Sequence, residues 1–267
     1  MPGYLPYVYP HPLTITKGRA AIADFNEDGR PDLVLQKPST HQTAIWYLDN
    51  NIPIGAAFGV PVAAGWALAG LADFNQDTHP DYALFNASTG ATAIWYLSGV
   101  NYIGGGFGPT LPHGWDVAAV ADFNGDGHPD YVLYKTSSRE TTVGYLHDRD
   151  VIGAGVGPTL PTGWGFVGVA DFNRDGHPDY LAWNVMTGET VIAYLSDRTL
   201  LGAVLGPMMP PDYALVGTGD FDRDGSPDYL LYNANTGEIA IWYLHDNVYV
   251  NSAVGPIVPA GWTLVVP

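Results

Sequence analysis

The sequence predicts an all-β protein, a five-bladed β-propeller with four antiparallel strands in each blade. Two observations support this fold class. An acidic nine-residue motif begins at five positions spaced 49 residues apart, namely Asp24, Asp73, Asp122, Asp171 and Asp220. Each unit also contains four short apolar runs, which are separated by Gly, Asn and Pro and lack helical periodicity. Repeats of roughly this length with four strands are typical of propeller blades.

The unit at residues 66–114 shows the expected order of strands. A small apolar run at 66–72 precedes the acidic motif and predicts a buried inner strand. The runs at 82–85 and 91–97 flank a turn rich in Asn and Gly, as in a hairpin. A Gly-rich run at 102–107 is suited to an exposed edge strand. The acidic motif is therefore expected between the first and second strands of each blade.

The repeats also predict the domain organisation. Residues 1–16 match the repeat poorly and are expected to form an N-terminal extension, followed by one propeller domain at 17–267. A partial sixth copy at 262–267 is expected to return to the first blade and close the ring. The five repeat units are 17–65, 66–114, 115–163, 164–212 and 213–261.

Composition excludes several classes of function. The formal net charge is −17, and the ten Lys and Arg residues form no run, so nucleic-acid binding is not expected. Cysteine is absent, which excludes disulfides, thiolate zinc sites and thiol nucleophiles. No apolar stretch is long enough to predict a membrane span, and the first residues lack the basic start of a signal peptide. We expect a monomer.

The acidic motif has the chemistry of an oxygen-ligand metal site. In the first copy, side-chain oxygens fall at places 1, 3, 5 and 9, which are Asp24, Asn26, Asp28 and Asp32. Alternate side chains of a tightly wound loop can converge on one cation. Calcium accepts six to eight such oxygens, whereas magnesium requires a stricter octahedron and retains more water. Calcium is therefore the predicted ion.

An EF-hand is the first alternative for such a loop. It requires a bidentate Glu at place 12 and flanking helices, whereas place 12 here is Leu or Ala within a predicted strand. The loops instead resemble the calcium-binding loops of FG-GAP and VCBS repeats, which occur in integrin α-subunit propellers and in many bacterial secreted proteins. The resemblance covers residues 17–266. It implies a secreted or cell-surface location.

The resemblance also implies about five calcium ions, one per blade, which stiffen hairpins away from the binding face. The ligands that it implies, with the place 7 residue contributing its backbone carbonyl, are Asp24, Asn26, Asp28, Arg30 and Asp32; Asp73, Asn75, Asp77, His79 and Asp81; Asp122, Asn124, Asp126, His128 and Asp130; Asp171, Asn173, Asp175, His177 and Asp179; and Asp220, Asp222, Asp224, Ser226 and Asp228.

Two places of the motif vary between copies. Place 7 is His in three copies, but Arg30 and Ser226 replace it in the others, which favours a carbonyl ligand over a functional imidazole. Place 6 is Gly except for Thr78 in the second copy. We expect Thr78 to strain or weaken the second loop.

Aromatic residues recur at two further positions. Trp66, Trp115, Trp164 and Trp262, with Tyr213 in the fifth copy, are expected to pack between blades. The third strand carries Trp46, Trp95 and Trp242 in three copies but Gly144 and Ala193 in the others, so the fold does not demand an aromatic there. These three Trp side chains are candidates for stacking on a sugar ring. The alternative is that these Trp side chains only pack locally, and that blades 3 and 4 fill the same space with other residues.

The sequence assigns no catalytic residues. It contains no phosphate-binding Gly-rich loop, no nucleophile elbow and no His pair at zinc-ligand spacing. We hypothesise a calcium-stabilised extracellular propeller that acts as a non-catalytic, multivalent carbohydrate-binding or adhesion module, because equivalent weak sites gain avidity. One alternative is a polysaccharide-degrading lyase or hydrolase on the same scaffold. Another is a scaffold for protein partners.

Overall fold

The computed structural model describes residues 22–265, which fold into five antiparallel sheets arranged as the blades of a propeller. No helix occurs in this part of the chain, so none there could cross a membrane. The predicted fold class is confirmed. The predicted extension at 1–16 lies outside the described residues, and the predicted domain boundaries stay a prediction.

Each of the five repeats forms one blade, whose strands run from the axis of the propeller outwards. Blade 1 contains β1 (Ile22–Ala23), β2 (Asp32–Lys37), β3 (Gln42–Asp49) and β4 (Ile52–Phe58); blade 2 contains β5 (Ala67–Ala72), β6 (Asp81–Asn86), β7 (Ala91–Ser98) and β8 (Asn101–Thr110). Blade 3 contains β9 (Asp116–Ala121), β10 (Asp130–Lys135), β11 (Glu140–His147) and β12 (Asp150–Val156); blade 4 contains β13 (Trp164–Ala170), β14 (Asp179–Asn184), β15 (Thr190–Ser196) and β16 (Thr199–Leu205). Blade 5 contains β17 (Ala214–Gly219), β18 (Asp228–Asn233), β19 (Glu238–His245) and β20 (Val248–Ile257).

The inner strand of blade 1 is assembled from both ends of the described chain. The two-residue strand β1 pairs with one half of β2, where Ile22 lies opposite Leu33. The final strand β21 (Thr263–Leu264) pairs with the other half, where Leu264 lies opposite Leu35. The N–H of Val265 then donates to the carbonyl of Val34 at 2.8 Å. The last blade is thereby hydrogen-bonded to the first, and the ring closes.

Apolar side chains from adjacent blades pack into five buried clusters, one at each blade interface. The Phe at place 2 of every acidic motif is buried in such a cluster. The repeating Trp66, Trp115, Trp164 and Trp262, together with Tyr213, pack against these clusters as partly buried side chains. Their predicted position between blades is confirmed.

Tyrosine hydroxyls link the third strand of one blade to the β-turn of the next. Tyr145 Oη donates to Asp197 Oδ1 at 2.5 Å, and Asn247 Nδ2 donates to Tyr194 Oη at 2.7 Å. Tyr96 and Tyr243 make the same link, to Asp148 and Asn50. In blade 2 the equivalent turn position is Gly99, which offers Tyr47 no side chain.

The fourth strands form an exposed apolar rim. Among residues 22–265, every exposed large apolar side chain except Met186 and Met208 lies on β4, β8, β12, β16 or β20. Phe58 and Phe107 are 71% and 75% exposed. Each fourth strand is also the unpaired edge of its sheet, so the rim combines free backbone groups with apolar surface.

Candidate functional site

The five acidic loops lie between the first and second strands of their blades, at one end of the propeller. Their winding requires left-handed backbone at places 4 and 6. In the first loop these are Glu27, with φ of 59°, and Gly29, with φ of 80°. The same end of each blade carries the turn between the third and fourth strands, which brings Asp49 within 3.0 Å of Arg30 at place 7.

Side-chain oxygens at places 1, 3 and 5 fold inward and accept backbone N–H groups of their own loop. In the third loop, Asp122 accepts from the N–H groups of Asp126 and Gly127. Asn124 Oδ1 accepts from Asp126 N at 3.0 Å, and Asp126 Oδ1 accepts from His128 N at 2.9 Å. The other four loops repeat these bonds. A carboxylate oxygen has two lone pairs, so these bonds leave acceptor capacity for a cation.

The hydrogen bonds also set the charge at place 5. The bond from the N–H of His128, followed by that from the amide of Asn124, lowers the pKa of Asp126. In the fourth loop the amide of Asn173, followed by the N–H of His177, lowers the pKa of Asp175. These exposed carboxylates therefore remain ionised, as a divalent cation requires.

The Asp at place 9 has a different environment from the other acidic residues. All five copies have no exposed surface. Asp130 Oδ2 accepts from Phe123 N at 3.0 Å, and its Oδ1 accepts from Leu146 N, on the third strand, at 2.9 Å. Burial raises the pKa of Asp130 to about 6, although these two N–H groups lower it. This residue joins the acidic loop to the third strand, a role that sequence reasoning missed.

The fifth loop tests whether these residues fit a divalent cation. Asp220, Asp222 and Asp224 each place a carboxylate oxygen within 4.8 Å of the others. Two oxygens on opposite sides of a calcium ion, each about 2.3–2.6 Å from it, have a similar separation. Asp228 at place 9 is not part of this group. The spacing at places 1, 3 and 5 of the fifth loop is compatible with an oxygen-coordinated divalent cation. Calcium as the ion, and place 9 as a ligand, stay predictions.

The second loop contains the expected irregularity. Thr78 has φ of 75°, a left-handed conformation that costs a non-Gly residue about 1–2 kcal/mol. Its N–H still donates to Asp73 Oδ2 at 2.8 Å, as the Gly N–H does in other loops. The loop therefore keeps its hydrogen bonds under backbone strain.

Replacing Thr78 by Gly is expected to stabilise the protein. The relieved strain is offset in part by the unfolded-chain freedom of Gly, about 0.4–1 kcal/mol, which leaves a net gain of up to about 1.6 kcal/mol. Urea unfolding at fixed calcium measures the change. Gly176→Thr is the matched control, because Gly176 has φ of 88° and an added Cβ there would meet nothing within 4 Å. That control should lose stability; equal stability of both variants and the wild type would contradict the assignment of strain.

Neighbouring loops contact each other through the side chain at place 4. Arg223 of the fifth loop donates from Nε to the carbonyl of Gly29 at 3.0 Å and lies 3.6 Å from Asp28 Oδ1. Gln76 of the second loop donates to the carbonyl of Gly127 at 3.2 Å. Place 4 of the third loop is Gly125, which has no side chain to make this contact. The loops are therefore linked pairwise around part of the ring.

The candidate sugar-binding Trp residues lie in the middle of third strands and are half-buried. Each packs against an inter-blade cluster: Trp46 against that of blades 5 and 1, Trp95 against that of blades 1 and 2, and Trp242 against that of blades 4 and 5. Trp95 and Trp242 also make edge contacts with Tyr102 and Tyr249 of the fourth strands. In blade 3, a Cβ on Gly144 would meet nothing within 4 Å, so the blade leaves that space open.

Trp46 lines an apolar cleft of about 250 Å³ on blade 1. Trp262 lies in the same cleft, where it stacks on Phe58 with ring centroids 6.2 Å apart and an interplanar angle of 25°. The remaining lining is Leu35, Ala44, Ala56, Ala57 and Pro259. The lining thus combines large aromatic rings with small Ala side chains, and this cleft is called the aromatic slot below. Sequence comparison missed the contribution of Trp262 and Phe58, because they belong to opposite ends of the repeat.

Blade 2 has the same aromatic set. Trp66 and Trp95 correspond to Trp262 and Trp46, and Phe107 corresponds to Phe58. The rings of Trp66 and Phe107 lie 6.0 Å apart.

Residues 73–133 match the FG-GAP-like repeat family. This FG-GAP-like match spans the acidic loops of blades 2 and 3 and the strands between them. No curated protein matches the chain.

Solved structures resemble this chain at low sequence identity. A protein of unknown function from Bacteroides caccae is 13% identical, with a TM-score of 0.47, and the match covers 83% of this chain and 72% of that one. A member of the duf4221 family from Bacteroides vulgatus is 8% identical, with a TM-score of 0.49, and the match covers 90% and 82% of the two chains.

Proposed function

We propose that this chain is a non-catalytic, calcium-stabilised propeller that binds carbohydrate outside the cell. The observation that carries the proposal is the aromatic slot of blade 1, formed by Trp46, Trp262 and Phe58. Aromatic faces stack on the apolar CH face of a sugar ring. The volume of about 250 Å³ is slightly below that of most ligand sites, which are roughly 300–1,000 Å³. It suits a single ring better than a large ligand.

Repetition supports a multivalent binder. Blades 1 and 2 carry the same Trp, Trp and Phe set, and blade 5 carries Tyr213 and Trp242 at the two corresponding Trp positions. An apolar lining gives stacking but few hydrogen bonds to hydroxyl groups, so each slot alone is expected to bind weakly. Weak sites on one rigid scaffold gain avidity when a polymer engages several together. A repeating polysaccharide is therefore the proposed ligand class.

The acidic groups support a structural role over catalysis. The carboxyls whose pKa burial raises most are the Asp residues at place 9, which recur in all five blades. Each has both oxygens bonded to backbone N–H groups and is fully buried. A catalytic acid or base usually stands at one asymmetric position in an accessible pocket. Five equivalent buried anchors fit stabilisation by calcium loops better.

Calcium and location belong to the same proposal. The three converging carboxylates of the fifth loop support an oxygen-coordinated divalent cation. Modules that act outside cells use calcium sites with dissociation constants of about 10⁻⁴–10⁻³ M, because calcium is abundant there. We therefore place the protein in the extracellular space or at the cell surface, with one calcium ion in each of the five loops.

Removing one ring of the slot is expected to weaken sugar binding. Trp46→Ala or Trp262→Ala should each lower affinity by up to about tenfold, since an aromatic pair contributes roughly 0.5–1.5 kcal/mol. A glycan array selects the probe, and calorimetric titration measures affinity for each variant. Trp164→Ala is the control, because Ala193 replaces the second Trp in blade 4. Equal binding by all three variants would contradict the slot, and turnover of the polysaccharide would favour the lyase or hydrolase alternative.

The exposed rim favours one second candidate, a scaffold for protein partners. Edge strands can accept an added strand from another chain, and apolar side chains such as Ile52 and Ile54 provide the surface for it. Proteins generally protect such edges. If no glycan binds while a partner protein binds to the fourth strands, the scaffold function replaces carbohydrate binding as the proposal.

A further inference from the structure

The structure brings two histidines together in blade 3. The rings of His128 and His147 have centroids 4.1 Å apart and planes tilted by 40°. His128 occupies place 7 of the third acidic loop, and His147 ends the third strand. His147 is exposed and His128 half-buried. We propose that these two imidazoles form a surface site for a divalent transition-metal ion, with Zn²⁺ as the representative ion.

The other blades show that this pair is specific to blade 3. The corresponding residues are Arg30 and Asp49 in blade 1, which form an ion pair at 3.0 Å. They are His79 and Ser98 in blade 2, His177 and Ser196 in blade 4, and Ser226 and His245 in blade 5. Only blade 3 places His at both positions. The fold places these two side chains side by side, and in blade 3 both can act as nitrogen ligands.

Imidazole nitrogens are ligands that zinc and copper prefer, whereas calcium prefers oxygen. The site is thus chemically distinct from the calcium loop, to which His128 contributes only its backbone carbonyl in the proposed function. With two protein ligands, water completes the coordination sphere. The zinc site and the calcium loop can be tested separately, because His147 lies outside the acidic motif.

Gln76 contacts His128 from the neighbouring blade. Its Nε2 lies 3.3 Å from His128 Nδ1, across the boundary between blades 2 and 3, and also donates to the carbonyl of Gly127 at 3.2 Å. The amide therefore presents its NH₂ group to His128, and Nδ1 accepts. A metal ion bound by His128 replaces this hydrogen bond, so removal of the Gln76 amide is not expected to weaken zinc binding.

Zinc titration of the calcium-saturated, untagged protein tests the proposal. The wild type is expected to bind one Zn²⁺ in a calorimetric titration with zinc chloride. His147→Gln and His128→Gln should each weaken that binding by at least about tenfold, because each removes one of the two nitrogen ligands and even the loss of an outer partner costs about 10–100-fold. His177→Gln is the matched control and should bind as the wild type does, since Ser196 stands beside it.

The melting temperature in calcium separates loss of the zinc site from loss of the fold. His147→Gln changes an exposed residue and should melt as the wild type does. If it binds zinc with unchanged affinity, or if His177→Gln loses as much affinity, the site does not exist. If His147→Gln is destabilised, His147→Asn and His128→Gln decide. The site stands if the variant that melts as the wild type does loses zinc affinity, and it is rejected if that variant keeps it.

Discussion

Chelation of calcium is expected to lower the melting temperature of this protein by more than any single substitution. A ligand that binds only the folded state at 100 times its dissociation constant stabilises it by about 2.7 kcal/mol per site. For a domain of this size, one such site corresponds to roughly 5–10 °C. The proposal places one ion in each of five loops, and their effects on stability should add where the loops bind independently.

The experiment compares thermal unfolding in saturating calcium, in excess chelator, and in chelator followed by restored calcium. Magnesium at the same concentration should restore less, because magnesium requires a near-ideal octahedron and gives up its water reluctantly. Asp224→Ala removes one of the three converging carboxylates of the fifth loop and should reduce the calcium effect. If chelation leaves the melting temperature unchanged, the loops do not hold calcium that stabilises the fold, and the proposed role is wrong.

The constant spacing of the repeats allowed most of the fold to be predicted from the sequence. Five motifs at one spacing predicted five blades, and the short apolar runs around each motif predicted its four strands. The position of each loop between the first and second strands followed from the same pattern. Equal units repeat the same local rules, so evidence from one copy reinforces evidence from the next.

The sequence predicted that the last segment returns to blade 1, but the residues that meet across the blade interfaces are far apart in sequence and could be paired only from the structure. Tyr82 and Thr43 meet across blades 2 and 1, and Tyr229 and Thr190 meet across blades 5 and 4. At the interface of blades 5 and 1, the corresponding residues are Leu33 and Ile239, which pack in one apolar cluster. The sequence shows that Leu33 replaces the Tyr and that Ile239 replaces the Thr. Only the arrangement of blades reveals that these two replacements face each other at one interface.

The functional residues were predicted less evenly. Alternate oxygens in a Gly-containing loop have a recognisable spacing, so the sequence could predict places 1, 3 and 5 as cation ligands, and the structure brings these three carboxylates together in the fifth loop. The sequence could not decide whether the Trp candidates pack within the fold or bind a ligand, because both roles use the same residue type. The slot of blade 1 combines Trp46 with Trp262, which are joined by ring closure and not by the repeat unit.

The anchor at place 9 was assigned from sequence only as a metal ligand. Its hydrogen-bond donors are backbone N–H groups, which leave no residue-type signature. Asp130 bonds to the N–H groups of residues seven positions before it and 16 positions after it. Both donors are buried, so the carboxylate satisfies groups that water cannot reach. Its contribution to folding should therefore persist when calcium is absent.

Asp130→Ala is expected to destabilise the protein by about 2–6 kcal/mol, because each of two buried N–H groups left without an acceptor costs roughly 1–3 kcal/mol. Asp130→Asn should lose less, since its amide oxygen can still accept one of the two bonds. Urea unfolding in excess chelator measures both variants against the wild type. The chelator ensures that any difference reflects the protein's own hydrogen bonds and not a lost calcium ligand.

Asp126→Ala is the matched control, because Asp126 belongs to the same loop but is exposed and bonds to loop N–H groups that water can reach. In chelator it should change stability far less than Asp130→Ala, whereas in calcium it should also lose the stabilisation that its loop gains from the ion. If both variants unfold alike in chelator, place 9 is no more than another metal ligand. If only Asp130→Ala is destabilised in chelator, two separate interactions stabilise each loop: the proposed cation at places 1, 3 and 5, and the buried carboxylate at place 9.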